Sequence, residues 1–241
     1  IALSYLKNQL GFEAKPYALG EVRKEAQFAL DYFKVSAPEL LTDVKGKDVI
    51  LVDHNELAQT ADGIEEANIV EIVDHHKVEI STEVPISIRV MPVGCTCTIV
   101  YQMYKENNVE VPYEIAGLLL SAILSDTLLF KSPTCTPDDI EAAMELADIA
   151  GIDPEVYGRQ MFGAGSNLDE KTDREIFYQD FKKFAINDVT VGVGQVNAMG
   201  PEDIEKIKAK EVPFIDTVTG DGGLDVVYFL MTDISTECSY V

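Results

Sequence analysis

The sequence predicts an α/β fold, a mainly parallel sheet with helices on both faces, followed by a smaller C-terminal α/β domain. Two observations carry this. Short, almost wholly apolar runs at residues 49–52 and 69–73 read as strands covered on both faces, and residues 86–90 read as a third strand by their β-branched content. Stretches with helical periodicity alternate with such runs along the chain, and strand-helix alternation is what parallel strands with crossover helices require.

Taken in order, residues 1–9 place apolar side chains at helical spacing and stop before Gly11, where a left-handed C-terminal cap belongs. The abrupt start on Ile1, without a cap or a methionine, gives the expectation that an upstream segment is absent. Residues 21–33 read as a second amphipathic helix. After the three strands, residues 95–107 and 113–130 read as helices, the second long and strongly apolar. Residues 137–150 form a well-marked helix, because Thr136-Pro137-Asp138-Asp139 supplies a cap, a first-turn proline and first-turn acids.

Residues 1–162 therefore make the first domain. Residues 163–170, opening Gly163-Ala164-Gly165-Ser166-Asn167, have the small, polar composition of a linker. The second domain, 171–241, reads as helix 171–184, strand 189–196, helix 201–210 and strand 224–231. The chain closes at Val241 just after a strand with nothing to cover its far side, so the second expectation is a C-terminus that is not native.

Composition narrows the function. With 42 acidic against 19 basic residues the formal charge is -23, which disfavours nonspecific binding to nucleic acid or to an anionic membrane. The longest apolar run, 115–124, falls well short of the ~20 residues that span a bilayer. Four cysteines without a CxxC spacing read as free thiols of a reducing cytosol. Cys95 and Cys97 read as small residues entering a helix rather than as a thiolate pair. An anionic substrate would need a bound cation or a few placed basic groups.

Three aspartates sit where apolar segments end: Asp53 after 49–52, Asp74 after 69–73, and Asp126 after 118–124. Ligands of open α/β sheets bind at the carboxyl ends of strands, so Asp53 and Asp74 are expected on one edge. Asp126 is expected inside an apolar helical stretch, 116–130, where an unpaired carboxylate is costly and calls for a cation. Single strand-end aspartates often only cap a following helix. Asp74-His75-His76 changes the balance, because imidazoles beside carboxylates are the usual donor mixture for Mn, Fe, Co or Zn. Neighbouring side chains on an extended chain point to opposite sides, so one histidine is expected on metal and the other toward substrate. Carboxylate and imidazole donors without thiolate favour Mn²⁺ or Mg²⁺-like chemistry over structural zinc. Two such ions bridged by carboxylates bring the pKa of a shared water from ~16 toward neutrality and neutralise phosphate oxygens. That reconciles an acidic chain with an anionic substrate.

These residues resemble a known family. Asp74-His75-His76 is similar to the motif that names the DHH phosphoesterases, and Val52-Asp53-His54-Asn55 resembles the preceding metal motif of the manganese-dependent (family II) inorganic pyrophosphatases. Pro92-Val93-Gly94-Cys95-Thr96, Ser121-Ala122-Ile123-Leu124-Ser125-Asp126 and Phe130-Lys131-Ser132-Pro133-Thr134-Cys135-Thr136 are similar to further motifs of that branch, in the same order. The resemblance implies a metal-binding DHH domain with a substrate-closing second domain of DHHA2 type. It implies hydrolysis of pyrophosphate to two phosphates by two Mn²⁺ ions, with Co²⁺ or Mg²⁺ as alternatives. Asp53 would bridge the metals, His75 and Asp126 would complete one of them, and His76 and Lys182 would contact substrate, with Asp74 orienting the histidines from behind. It further implies a cytoplasmic homodimer. The family's histidine-bearing motif that should precede Ile1, and its basic C-terminal segment, are not in these 241 residues, so this polypeptide alone is expected to be inactive or nearly so. Two other readings compete: a DHH phosphodiesterase acting on oligonucleotides or cyclic dinucleotides, and a noncatalytic metal-binding protein. The first would call for aromatic or basic surfaces near the motifs, and none is clustered there.

Overall fold

The structure is a computed structural model, and it describes residues 1–241 apart from positions 83, 167, 169, 170, 188, 199, 222, 235 and 237. The chain divides into two compact units, Ile1–Met161 and Phe162–Val241.

In the first unit, α1 (Ala2–Gln9) and α2 (Lys24–Tyr32) are interleaved with a minimal parallel pair, β1 (Tyr17–Ala18) and β2 (Glu39–Leu40). The main sheet follows as β3 (Asp48–Val52), β4 (Asn68–Asp74) and β5 (Ser87–Val90), all parallel in that order. The side-chain alternation of strands divides their apolar residues between two faces. Leu51 and Ile72 join Val44 and Ile64 in a small core, with Ile64 carried by a single 3-10 turn. Against β4 lies α3 (Thr96–Glu106).

The larger core is helical. Helix α4 (Tyr113–Asp126) buries Leu119, Leu120, Ile123 and Leu124 completely between α2, α3 and α5 (Pro137–Ala150). Phe33 lies so close to α4 that a Cβ on Gly117 would stand 2.2 Å from its ring, so close approach of two elements fixes that glycine. Thr136 and Asp139 complete the capping box at the start of α5.

Two expectations differ from the structure, one in this unit and one just past its end. The apolar helix does not continue to 130: it ends at Asp126, and Leu128, Leu129 and Phe130 take left-handed φ values of 49°, 53° and 68°. Residues 163–166, read as linker, are helical, since α6 spans Pro154–Ser166. Earlier in the same helix a Cβ on Gly158 would meet Leu129 at 2.4 Å, whereas one on Gly163 would meet nothing within 4 Å. Positions 167, 169 and 170 of the expected linker lie outside the described residues.

The second unit holds α7 (Asp173–Phe177), β6 (Phe181–Ile186), β7 (Val189–Ala198), α8 (Pro201–Asp221), β8 (Val226–Asp233) and β9 (Cys238–Tyr240). Its sheet runs β6-β7-β8-β9, with β7 and β8 parallel and the flanking strands antiparallel. Phe177 and Phe229 stack at 5.5 Å in a core shared with Ile176, Val196 and Ile207. The expected helix 171–184 is instead a short helix, a turn and a strand. Thr172 and Glu175 cap the helix start, while 181–186 pairs with β7 and so adopts strand alternation. Helix α8 runs past its expected end at 210 and through Pro213, which has no N–H to give to the carbonyl four residues back.

Candidate metal centre

The register of the main sheet brings the strand-end aspartates together. Val52 pairs with Val73, so Asp53 and Asp74 leave adjacent parallel strands at the same carboxyl edge. Asp53 turns the backbone out of the sheet with φ 68°, a left-handed conformation that Asp tolerates better than most residues. Its own N–H stays bonded to the Val73 carbonyl at 3.0 Å. The Asp53 carboxylate faces solvent on one side and accepts a hydrogen bond from Thr96 Oγ1 at 2.7 Å on the other.

Asp74 is fully buried. Its Oδ1 accepts from the His75 and His76 amides at 2.7 and 3.2 Å and lies 2.8 Å from His76 Nδ1. Its Oδ2 accepts from Asn55 Nδ2 at 2.6 Å. Burial would raise this carboxyl, but the donors from Asn55, His76 and His75 outweigh it and hold Asp74 below the usual range. Asn55 is itself buried and also clamps the Lys77 carbonyl and the Glu79 amide.

The two histidines are therefore set differently. His75 Nδ1 lies 2.9 Å from the Val93 carbonyl, which can only accept, so Nδ1 carries a proton and the neutral ring has its lone pair on Nε2. That Nε2 stands 3.5 Å from Asp53 Oδ1. Two donors about 2.1 Å from one ion, at angles between octahedral and tetrahedral, are separated by roughly 3.0–3.4 Å. His76 Nδ1 is held by the Asp74 carboxylate instead, and that hydrogen bond raises the His76 pKa. The opposed directions expected of the pair do not hold, because β4 ends at Asp74 and residues 75 and 76 lie in a bend. Their ring centroids are 4.2 Å apart, and donor atoms of Asp53, His75 and His76 all fall within 4.8 Å of one another.

Asp126 stands at the end of α4, and the residue reaches the surface rather than lying inside an apolar helix. Its carboxyl group is nonetheless crowded by protein. Burial pushes its pKa up and the Asp53 charge adds to this, against a Cys95 hydrogen bond and the two imidazoles. A cation between Asp53 and Asp126 would relieve both. Cys95 caps α3 by accepting the Cys97 amide at 3.3 Å, and the Cys97 thiol and burial keep it well above the usual thiol range. Lys182 is exposed on β6 of the second unit, on a strand rather than a helix.

Three residues behind the site carried no expected role. Asn55 and Thr96 lie within the motifs quoted above, but nothing in sequence shows that their partners are 19 and 43 positions away. Asp139 was legible only as a first-turn acid. It is fully buried and also accepts from the Gly94 amide at 2.7 Å and from Thr98 Oγ1 at 2.5 Å. His54 gives Nδ1 to the Val52 carbonyl at 3.0 Å, and its buried Nε2 has no partner among the described residues.

Comparison with known proteins matches residues 2–123 to the DHH family, N-terminal domain, and residues 159–241 to the DHHA2 domain. The chain is 49% identical to the probable manganese-dependent inorganic pyrophosphatase of Oceanobacillus iheyensis, over 100% of this chain and 79% of that one. It is 48% identical to the manganese-dependent inorganic pyrophosphatase of Bacillus subtilis, over 97% and 77%. Among solved structures, a putative family II inorganic pyrophosphatase from Methanococcus jannaschii superposes with a TM-score of 0.73 at 39% identity, over 98% of this chain and 79% of that one.

Proposed function

We propose, from the premise that this chain belongs to the DHH family and within it to the manganese-dependent inorganic pyrophosphatases, that it hydrolyses pyrophosphate to two phosphates with Mn²⁺ held by Asp53, His75 and Asp126. One observation carries the ligand assignment: with Nδ1 turned to the Val93 carbonyl, His75 directs Nε2, the nitrogen that holds the lone pair in the neutral imidazole, at Asp53 Oδ1, 3.5 Å away. Bound divalent ions supply a water acidic enough to serve as nucleophile and positive charge for the phosphate oxygens.

The chain's own groups divide the remaining work. Asp53 keeps a carboxylate oxygen free of Thr96 for a second ion. Asp74 holds the His75 backbone and the His76 ring in place, as outer partners of metal ligands do. His76 is tied to a carboxylate rather than a carbonyl, which favours the imidazolium and makes Nε2–H a donor suited to a phosphate oxygen. Lys182, exposed on β6, is the further substrate contact that the family resemblance implies. Among the described residues no helix is long and apolar enough to cross a membrane. A cytoplasmic homodimer belongs to the same proposal, and the edge of β5, unpaired among the described residues and with Ile88 46% exposed, is a surface such a dimer would cover.

The test is phosphate release from pyrophosphate with Mn²⁺, by the product of the complete reading frame beside its Asp53→Ala variant. Turnover that Asp53→Ala abolishes is the expected result. Failure to release phosphate sinks the pyrophosphatase reading and moves attention to phosphodiester substrates, whereas turnover that survives Asp53→Ala sinks the ligand assignment.

A further inference from the structure

Two proposed ligands take their bearing from one short turn. Residues 93–98 deliver the Val93 carbonyl to His75 Nδ1 at 2.9 Å and Thr96 Oγ1 to Asp53 Oδ1 at 2.7 Å. The turn is itself fixed from behind. Asp139 binds the Gly94 amide through Oδ2 and Thr98 Oγ1 through Oδ1, and a Cβ on Gly94 would meet Asp139 Oδ2 and Thr127 Cγ2, each at 2.9 Å. Thr96 is 2% exposed, so its hydroxyl has little freedom, whereas the Asp53 side chain is 54% exposed and has no other neutral donor on its carboxylate among the described residues.

From this geometry we infer that Thr96 is a positioning residue: its hydroxyl sets the rotation of the Asp53 carboxylate so that Asp53 and His75, 3.5 Å apart, stand close to one ion's ligand spacing before the ion arrives. The inference rests on the metal reading above and deepens it. Without the hydroxyl, Asp53 gains rotational freedom in solvent, and binding an ion must then restrain it. A hydroxyl can also donate to Asp53 while leaving that oxygen a further lone pair, so the bond survives metal binding.

The experiment is an EPR titration of free Mn²⁺ against the unaltered protein and against Thr96→Val, Thr96→Ala and Thr96→Ser, with circular dichroism and thermal unfolding of each. Loss of an outer partner of a metal ligand typically lowers affinity about 10–100-fold, and that range is expected for Val and Ala. Ser keeps the hydroxyl and is expected to bind within about 3-fold of the unaltered protein, because the donor is what counts. A purely structural role would instead make affinity follow thermal stability, and Ser would not rescue it. Equal Mn²⁺ affinity in the unaltered protein and in either folded hydroxyl-free variant overturns this inference alone. Absence of Mn²⁺ binding by the unaltered protein overturns the metal reading and this inference with it.

Discussion

Asp74 and Asp139 in the first unit and Glu211 in the second are nearly sealed from water, at 0%, 0% and 1% exposure, and they end in opposite electrostatic states. Burial would push all three carboxyls up. In Asp74 and Asp139 that push is outweighed by donors: Asn55 and the His75 and His76 groups on one, Thr136, Thr98 and the Gly94 amide on the other. Both are held below the usual range. Glu211, on α8, has neither oxygen hydrogen-bonded among the described residues, and burial, with Asp173 adding and Lys210 offsetting, pushes it up to about 7. The difference lies in donors rather than depth. Around the carboxyl edge of the first sheet, backbone amides and short polar side chains converge to keep anions charged and to aim imidazoles, which is what a ligand set needs.

Removing the acceptor that ties the turn to α5 tests the comparison most severely. Asp139→Ala strands the Gly94 amide and both groups of Thr136 along with Thr98 Oγ1, and is expected to cost about 4 kcal/mol of unfolding free energy in denaturant titration. A group with a depressed folded pKa contributes stability above its unfolded pKa and loses it as pH falls through the folded one. The gap between Asp139→Ala and the unaltered protein is therefore expected in full at pH 7 and should shrink below about pH 4.

The opposite sign is expected for Glu211. Its raised folded pKa means the folded state binds the extra proton, so its contribution falls as pH rises from about 4.5 to about 7. Glu211→Met is expected to flatten that slope and to stabilise the second unit at pH 8 by up to roughly 3 kcal/mol. A destabilised Met variant at pH 8 would show that Glu211 has partners that hold its charge. Gly94→Ala should cost about 2 kcal/mol, since its Cβ would press on Asp139 and Thr127. Thr172→Ala, which removes the capping box of α7, should cost about 1 kcal/mol and leave the first unit's unfolding untouched.

The legible part of the site was the part written in contiguous residues. Apolar runs ending in Asp53 and Asp74 place both on one edge because parallel strands share a direction, and Asp74-His75-His76 announces metal chemistry by its side-chain types alone. What sequence could not show is the scaffold of long-range donors, in which Asp139 reaches back 45 residues to Gly94. Asp126 was misplaced because Leu128, Leu129 and Phe130 continue an apolar pattern that the backbone abandons in a left-handed run. Residues 181–186 misled for a related reason: Phe181 and Phe184 are spaced as on a helix face, but pairing with β7 selects the strand.

The central claim is that His75, and not its neighbour, coordinates the metal. Pulsed EPR of Mn²⁺ bound to the protein reads the ¹⁴N coupling of a coordinated imidazole. The account predicts a directly bound nitrogen that disappears in His75→Ala and persists in His76→Ala. A nitrogen coupling that survives His75→Ala, or that is lost in His76→Ala instead, would contradict it.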